Sequence, residues 1–185
     1  SKTAGVTDEY GDTNTADIGQ TVHFKTTITA QAGAVNYVLH DTMSEGLTFS
    51  GESSVKVQLT TSTETRDINT AEYTVKSSGL SDNCTFEIEF KKSLCDTLKA
   101  NDKLIITYTA TLNEKASIGA TPGNTNETKL TYGNNKETEK SRTTTKTFEL
   151  PVFKYTEKND GTKTGLAGAK FVLNKDRSNS EATPI

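Results

Sequence analysis

Segments in which apolar and polar residues alternate recur along the chain, separated by stretches rich in turn-forming residues. A period of two places every second side chain on one face of an extended strand, so each segment predicts a strand with one buried face. The predicted inward faces are Val22-Phe24-Ile28, Val35-Tyr37-Leu39-Asp41, Val55-Val57-Leu59, Cys84-Phe86-Ile88-Phe90, Leu104-Ile106-Tyr108-Ala110-Leu112 and Asn126-Leu130-Tyr132, with further strands near Tyr73 and Thr145. This number of strands predicts an all-β fold, an immunoglobulin-like β-sandwich.

The composition agrees with this fold class and argues against two kinds of partner. Threonine is abundant and helix-favouring runs are scarce, so a helix is expected only as one turn around 92–98. Charged residues make up 24% of the chain and the net charge is only −3, with basic residues mixed among acidic ones. A nucleic-acid partner is therefore not expected. No run approaches the roughly 20 apolar residues that cross a membrane, so we expect no membrane insertion of this chain.

A change in composition marks a domain boundary. The stretch 136–146 contains charged residues and threonine with almost no apolar side chains, and alternation resumes at Phe148, Leu150 and Val152. We therefore expect one β-sandwich domain over 1–148 and a second domain over 149–185. The second part contains only the first hairpin of a second β-sandwich, so the chain is expected to be a fragment of a longer protein.

Three polar residues have the sequence spacing of core residues. Asn126 shares the inward face with Leu130, and Asp41 continues the inward face that contains Leu39. Lys2 is in register with the apolar residues at positions 4 and 6. An amine, a carboxyl group and a carboxamide in one core are the reactants of an intramolecular isopeptide bond between Lys2 and Asn126, with Asp41 as the catalytic acid.

The expected chemistry follows from burial. Removal from water lowers the pKa of a lysine amine, which leaves a neutral nucleophile, and it raises the pKa of a carboxyl group. A protonated carboxyl group can then polarise the carboxamide and transfer the proton that leaves with ammonia. The reaction happens once per molecule, so we do not expect the protein to be a turnover enzyme, and no cofactor is required.

Alternation leaves several assignments open. Asn124, Asn126 and Asn134 have the same parity, and Asn126 is preferred because it stands at the entry of its strand. Asp41 could instead cap the turn that follows it, Asn126 could be a hydrogen-bonded turn residue, and Lys2 could be a solvated terminal lysine.

The cysteines and histidines give no strong motif. Cys84 and Cys95 either form a disulfide or remain a core thiol and a thiol near a loop, because the strand after Cys84 leads away and leaves little chain for the return. His23 and His40 are predicted on solvent-facing sides of their strands. Their spacing matches no metal motif, so no metal is expected.

The segments 18–24, 41–49, 106–113 and 123–135, taken in this order, resemble the isopeptide-forming domain of Gram-positive fimbrial subunits in its Cna-A-like form. The segment 152–173 resembles the opening of a Cna-B-type domain, with an alternating strand, a turn and the pattern Leu-x-Gly-Ala-x-Phe. The resemblance implies that Lys2 and Asn126 are cross-linked beside Asp41, and that Lys154 is the candidate lysine of the second domain, with its bond partners beyond Ile185.

The resemblance also implies a function and a location. It implies a secreted structural subunit of a sortase-assembled pilus on the cell wall, with neighbouring pilin subunits as partners. The alternative is a cell-wall-anchored adhesin module that binds a host glycan or matrix protein.

Overall fold

The computed structural model describes residues 1–3, 9–80, 82–168 and 170, with only the backbone described at Ala120. Positions 4 and 6, used above for the register of Lys2, lie outside this range, as do position 169 and the segment 171–173 of the expected second-domain pattern. The chain divides into two units, Ser1–Glu149 and Leu150–Ile185.

Almost all regular structure in the described residues is extended. The strands are β1 (Lys2–Thr3), β2 (Thr13–Thr15), β3 (Thr21–Thr29), β4 (Val38–Met43), β5 (Leu47–Phe49), β6 (Lys56–Thr60), β7 (Thr65–Asp67), β8 (Tyr73–Lys76), β9 (Phe86–Phe90), β10 (Lys103–Leu112), β11 (Gly119–Tyr132), β12 (Lys136–Glu137), β13 (Ser141–Thr147), β14 (Tyr155–Glu157) and β15 (Lys163–Gly165). A single α-helical turn, α1 (Lys92–Cys95), lies within the stretch where the sequence predicts one. Two 3₁₀ turns cover Glu52–Ser54 and Thr70–Glu72.

The first unit is a sandwich of two sheets. The first sheet has the order β1-β3-β10-β6-β7, with β5 also paired to β10. The second has the order β2-β13-β11-β4-β9-β8, with β12 also paired to β11. Neighbouring strands are antiparallel except β2 and β13, which are parallel. In the second unit, β14 and β15 form an antiparallel hairpin.

The core lies between the two sheets and is made by the alternating faces. On β10, for example, Leu104, Ile106, Tyr108, Ala110 and Leu112 are all buried and the residues between them are not. The predicted all-β sandwich is therefore confirmed. Three residues assigned to inward faces differ. Cys84 precedes β9 and is only partly buried, with its thiol 3.9 Å from the carboxylate of Glu87 instead of in the core. Val35 is 41% exposed and Tyr132 is 36% exposed. Val35 precedes β4 and Tyr132 ends β11, so both lie at an end of the sandwich.

Gly46, in the turn between β4 and β5, packs so closely against Asn124 and Ala116 that there is no room for a side chain. A Cβ atom there would lie 2.1 Å from Asn124 Oδ1 and 2.7 Å from Ala116 Cα. We expect Gly46→Ala to lower the free energy of unfolding by about 1–3 kcal/mol because backbone must move to relieve the overlap. Denaturant unfolding measures this change. Gly11→Ala is the matched control, since its Cβ would meet nothing nearer than Thr13 O at 3.6 Å; an equal loss in both variants would contradict the packing argument.

Candidate functional site

Asp41, Asn126 and Tyr108 meet in the core of the first unit. Asp41 comes from β4 and Asn126 from the adjacent strand β11, whereas Tyr108 comes from β10 in the opposite sheet. Asn126 Nδ2 donates to Asp41 Oδ2 over 2.9 Å and to Tyr108 Oη over 3.0 Å. Tyr108 Oη in turn donates to Asp41 Oδ2 over 2.5 Å. The predicted carboxyl–carboxamide pair is thus present, with a phenol as a third member.

The pair is enclosed by aromatic side chains. Asp41 is fully buried and Asn126 is 3% exposed. The ring of Tyr108 stacks on Phe24 at 5.4 Å between centroids and meets Phe86 edge-on at 5.0 Å. Burial raises the pKa of Asp41 to about 7, and the hydrogen bonds from Tyr108 and Asn126 only partly oppose this rise. Near neutral pH the carboxyl group is therefore poised to hold or release a proton.

Tyr108 is a member of the site that no sequence motif predicts. Burial, followed by the negative charge of Asp41 and the hydrogen bond to it, raises the pKa of Tyr108 well above its usual value. The phenol therefore stays protonated and acts as a donor to the carboxyl group. The available signal was its inward position on β10, because a buried tyrosine hydroxyl generally requires a polar partner.

Two oxygens of the pair lack a hydrogen-bond partner. Asp41 Oδ1 and Asn126 Oδ1 are both buried and unpaired, as is the hydroxyl of Thr143 on β13. Thr143 lies opposite Asn126 in the β11–β13 register. A crevice of about 130 Å³ adjoins the pair and is lined by Phe24, Tyr108, Asn126 and Thr143, among others. Unpaired buried polar groups are costly, so a donor placed against these oxygens would stabilise the site.

Lys2 is not at the pair in this structure. It pairs with His23 on β3 and is only partly buried, whereas the next residue, Thr3, faces the core. Its Nζ atom lies 4.7 Å from the ring centroid of Tyr10, which Lys25 approaches equally closely. The structure therefore brings together two of the three predicted reactants and places Lys2 on the outer side of β1.

The structure separates the three candidate asparagines. Asn124 is buried, and its side chain accepts from the backbone N–H of Ser117 and donates to the backbone oxygens of Ser117 and Thr145. Asn134 is exposed after the end of β11. Of the three, only Asn126 contacts Asp41.

The remaining sequence candidates lie elsewhere. Cys84 and Cys95 are both free thiols, which decides the open question of their pairing. Lys154 is exposed in the described part of the second unit. His40 lies on the outward side of β4 as predicted, but acidic neighbours cover its side chain, which is only 12% exposed.

The first unit is an immunoglobulin-like β-sandwich with a buried carboxyl–carboxamide pair. A family model described as "Gram-positive pilin backbone subunit 2, Cna-B-like domain" matches residues 18–136. This match spans more than half of the chain, which belongs to that family. The matching model is described as Cna-B-like, whereas the sequence motifs of this region resemble the Cna-A-like form. The match therefore supports the pilin assignment and does not support the Cna-A-like type.

Similar folds occur in solved structures of bacterial surface proteins. The pilus backbone RrgB of Streptococcus pneumoniae is 23% identical, with a TM-score of 0.54 over 71% of this chain and 50% of that chain. The pilus 2b backbone protein of group B streptococcus is 20% identical, with a TM-score of 0.55 over 71% of this chain and 54% of that chain. The N-terminal domain of the Streptococcus gordonii adhesin Sgo0707 is 17% identical, with a TM-score of 0.53 over 72% of this chain and 30% of that chain.

These similarities establish the fold. The chain spans about half of the first two proteins and less of the third. No protein with a curated description matches the chain in sequence. Among the described residues, no helix is long and apolar enough to cross a membrane.

Proposed function

We propose that the chain is part of a structural backbone subunit of a Gram-positive pilus, and that its first domain is cross-linked by an isopeptide bond between Lys2 and Asn126, with Asp41 as the catalytic acid. The observation that carries this proposal is the buried, hydrogen-bonded Asp41–Asn126 pair in an aromatic core. Membership of the pilin backbone family favours the structural role over the adhesin alternative.

The unpaired oxygens indicate which group is missing. Asp41 Oδ1 and Asn126 Oδ1 are both acceptors without a donor. A lysine amine supplies several donors in one compact group. The crevice beside the pair has room for the end of a lysine side chain. An amine in this position would also lie against the carboxamide carbon that it must attack.

Lys2 reaches this position if β1 shifts by one residue along β3. In the present register Lys2 pairs with His23, so continuation of the register places Ser1 opposite Phe24. A shift that pairs Lys2 with Phe24 turns its side chain inward, because a one-residue slip exchanges the two faces of a strand. Phe24 stacks on Tyr108, so the shifted lysine would enter the core beside the pair.

The reaction balances without any added reagent. The neutral amine attacks the Asn126 side-chain carbonyl carbon, the C–N bond to the original amide nitrogen breaks, and one ammonia leaves as the Lys–Asn amide forms. A protonated Asp41 donates to the carbonyl oxygen, takes up the proton that the attacking amine loses, and passes a proton to the original amide nitrogen, which leaves as ammonia. Tyr108 holds the carboxyl group in place through its hydrogen bond to Oδ2. Fixed strands supply the proximity that makes amide exchange feasible.

The cross-link would suit a subunit that carries load. A covalent bond between the first strand and β11 would close most of the first domain into one loop, so that pulling on the termini could not peel β1 away. The proposed location is the extracellular pilus on the cell wall, and the proposed partners are neighbouring pilin subunits joined by sortase. We also propose Lys154 as the candidate cross-linking lysine of the second domain.

Lys2→Arg should abolish the cross-link, because a guanidinium group stays charged and is no nucleophile. The measurement is the intact mass of the denatured protein, which should lack the loss of about 17 Da that expulsion of ammonia produces. Lys25→Arg is the matched control, since Lys25 shares the ring of Tyr10 but lies on β3. A mass loss that persists in Lys2→Arg would assign the nucleophile to another lysine.

A further inference from the structure

A second polar cluster lies on the outer face of the second sheet. His40 follows the inward-facing Leu39 on β4 and therefore points away from the core. Its register partner on β9 is Glu87, and Asp82 and Cys84 lie on the segment that leads into β9. One ligand atom from each of these four residues falls within 4.8 Å of the other three.

The distances within this cluster suit a metal centre. His40 Nδ1 lies 2.9 Å from Asp82 Oδ2 and 3.2 Å from Glu87 Oε1, and Cys84 Sγ lies 3.9 Å from the same Glu87 oxygen. Ligands bound to zinc at 2.0–2.3 Å in a tetrahedron are separated by about 3.4 Å. Small adjustments of these side chains would therefore form a four-coordinate site.

We propose that His40, Asp82, Cys84 and Glu87 form a binding site for a divalent transition-metal ion, with zinc as the best match. Imidazole nitrogen, thiolate and carboxylate oxygen are the ligand types that zinc accepts in tetrahedral sites. The site goes beyond the proposed cross-link and does not depend on it.

The state of His40 favours a metal over a simple ion pair. Its Nδ1 atom is buried and makes no hydrogen bond of acceptable geometry, although two carboxylate oxygens are close. The other ring nitrogen, Nε2, lies 3.0 Å from the hydroxyl of Thr131. Donation from Nε2 to that hydroxyl leaves the Nδ1 lone pair free for a metal. A ligating histidine usually donates its other ring N–H to a nearby acceptor in this way.

The charges and the access route also fit. Three anionic ligands around a divalent ion leave one excess negative charge, and Lys129 Nζ lies 3.8 Å from Asp82 Oδ2. A small cavity of about 70 Å³ beside His40 and Asp82 gives an entry path. Sulfur binds a metal as the thiolate, so metal binding should release one proton from Cys84.

The test is titration of untagged, chelator-treated protein with Zn²⁺ by calorimetry and with Co²⁺ by absorption. The wild type should bind one ion, release about one proton near neutral pH, and show thiolate-to-cobalt charge-transfer absorption. Cys84→Ser should lose this absorption and His40→Ala should lose most of the affinity. Thr131→Val should weaken binding by about 10- to 100-fold.

The chain supplies matched controls, because it contains two histidines and two cysteines in all. His23→Ala and Cys95→Ser should bind as the wild type does. Equal binding by the wild type and a His40→Ala/Cys84→Ser double variant, or no binding by either, would overturn the proposal and leave an ordinary ion-pair cluster. The cross-link is measured by mass, so failure of the metal site would not affect it.

Discussion

Asp41→Asn should slow formation of the Lys–Asn bond by about 10²- to 10⁴-fold, the usual contribution of a positioned general acid. The substitution keeps the size of the side chain and its acceptor oxygen for Tyr108 and Asn126. It removes the proton that Asp41 can hold near neutral pH, where burial places its pKa at about 7. The measurement is the time course of the ammonia mass loss after refolding of the denatured, unlinked protein.

A second buried aspartate provides the control for this rate. Asp102 is 7% exposed and its carboxyl group accepts a hydrogen bond from the backbone N–H of Lys99, in a loop before β10. Asp102→Asn should cross-link at the wild-type rate. If Asp41→Asn also cross-linked at that rate, proximity alone would explain the reaction and Asp41 would have no catalytic role.

The unlinked domain should become less stable as pH rises from about 4 to about 7. Asp41 keeps its proton in the folded state up to about pH 7 but loses it near 3.8 when unfolded. Within this window the folded state binds one more proton than the unfolded state, so stability falls with rising pH. At about 1.4 kcal/mol for each pH unit, the window amounts to roughly 4 kcal/mol.

Asp41→Asn isolates the contribution of Asp41 to the pH dependence of stability, because an asparagine side chain resembles the protonated acid and does not titrate. Denaturant unfolding of wild type and variant, both in the Lys2→Arg background, should give similar stabilities near pH 4. The variant should be more stable by several kcal/mol at pH 8. Parallel stability curves for the two proteins across this pH range would show that burial does not raise the pKa of Asp41.

The sequence was sufficient to predict much of the fold and part of the site. Alternation correctly placed Asp41 and Asn126 on inward faces, because a strand buried on one side has a register that its apolar residues specify strongly. The three candidate asparagines have the same parity, so alternation does not separate them, whereas in the structure only Asn126 of the three contacts Asp41. The contact of Tyr108 with the pair crosses from one sheet to the other, which no periodicity within a strand describes.

Two other features depend on contacts that local patterns do not encode. The strand that contains Lys2 is only two residues long in the described structure. Few contacts therefore fix the register of this strand. The cluster around His40 combines a residue of β4 with Glu87 on β9 and two residues of the segment that leads into β9, and their spacing matches no recognised metal motif. His40 and Glu87 come together because of the pairing register between β4 and β9.

Peptide mapping of the denatured wild-type chain decides whether the cross-link exists. We expect an intact mass about 17 Da below the value calculated from the sequence, and one branched peptide in which Lys2 is joined to Asn126 with loss of ammonia. An unshifted mass, with separate linear peptides containing Lys2 and Asn126, would contradict the cross-link and leave a pilin-family sandwich held together by non-covalent contacts alone.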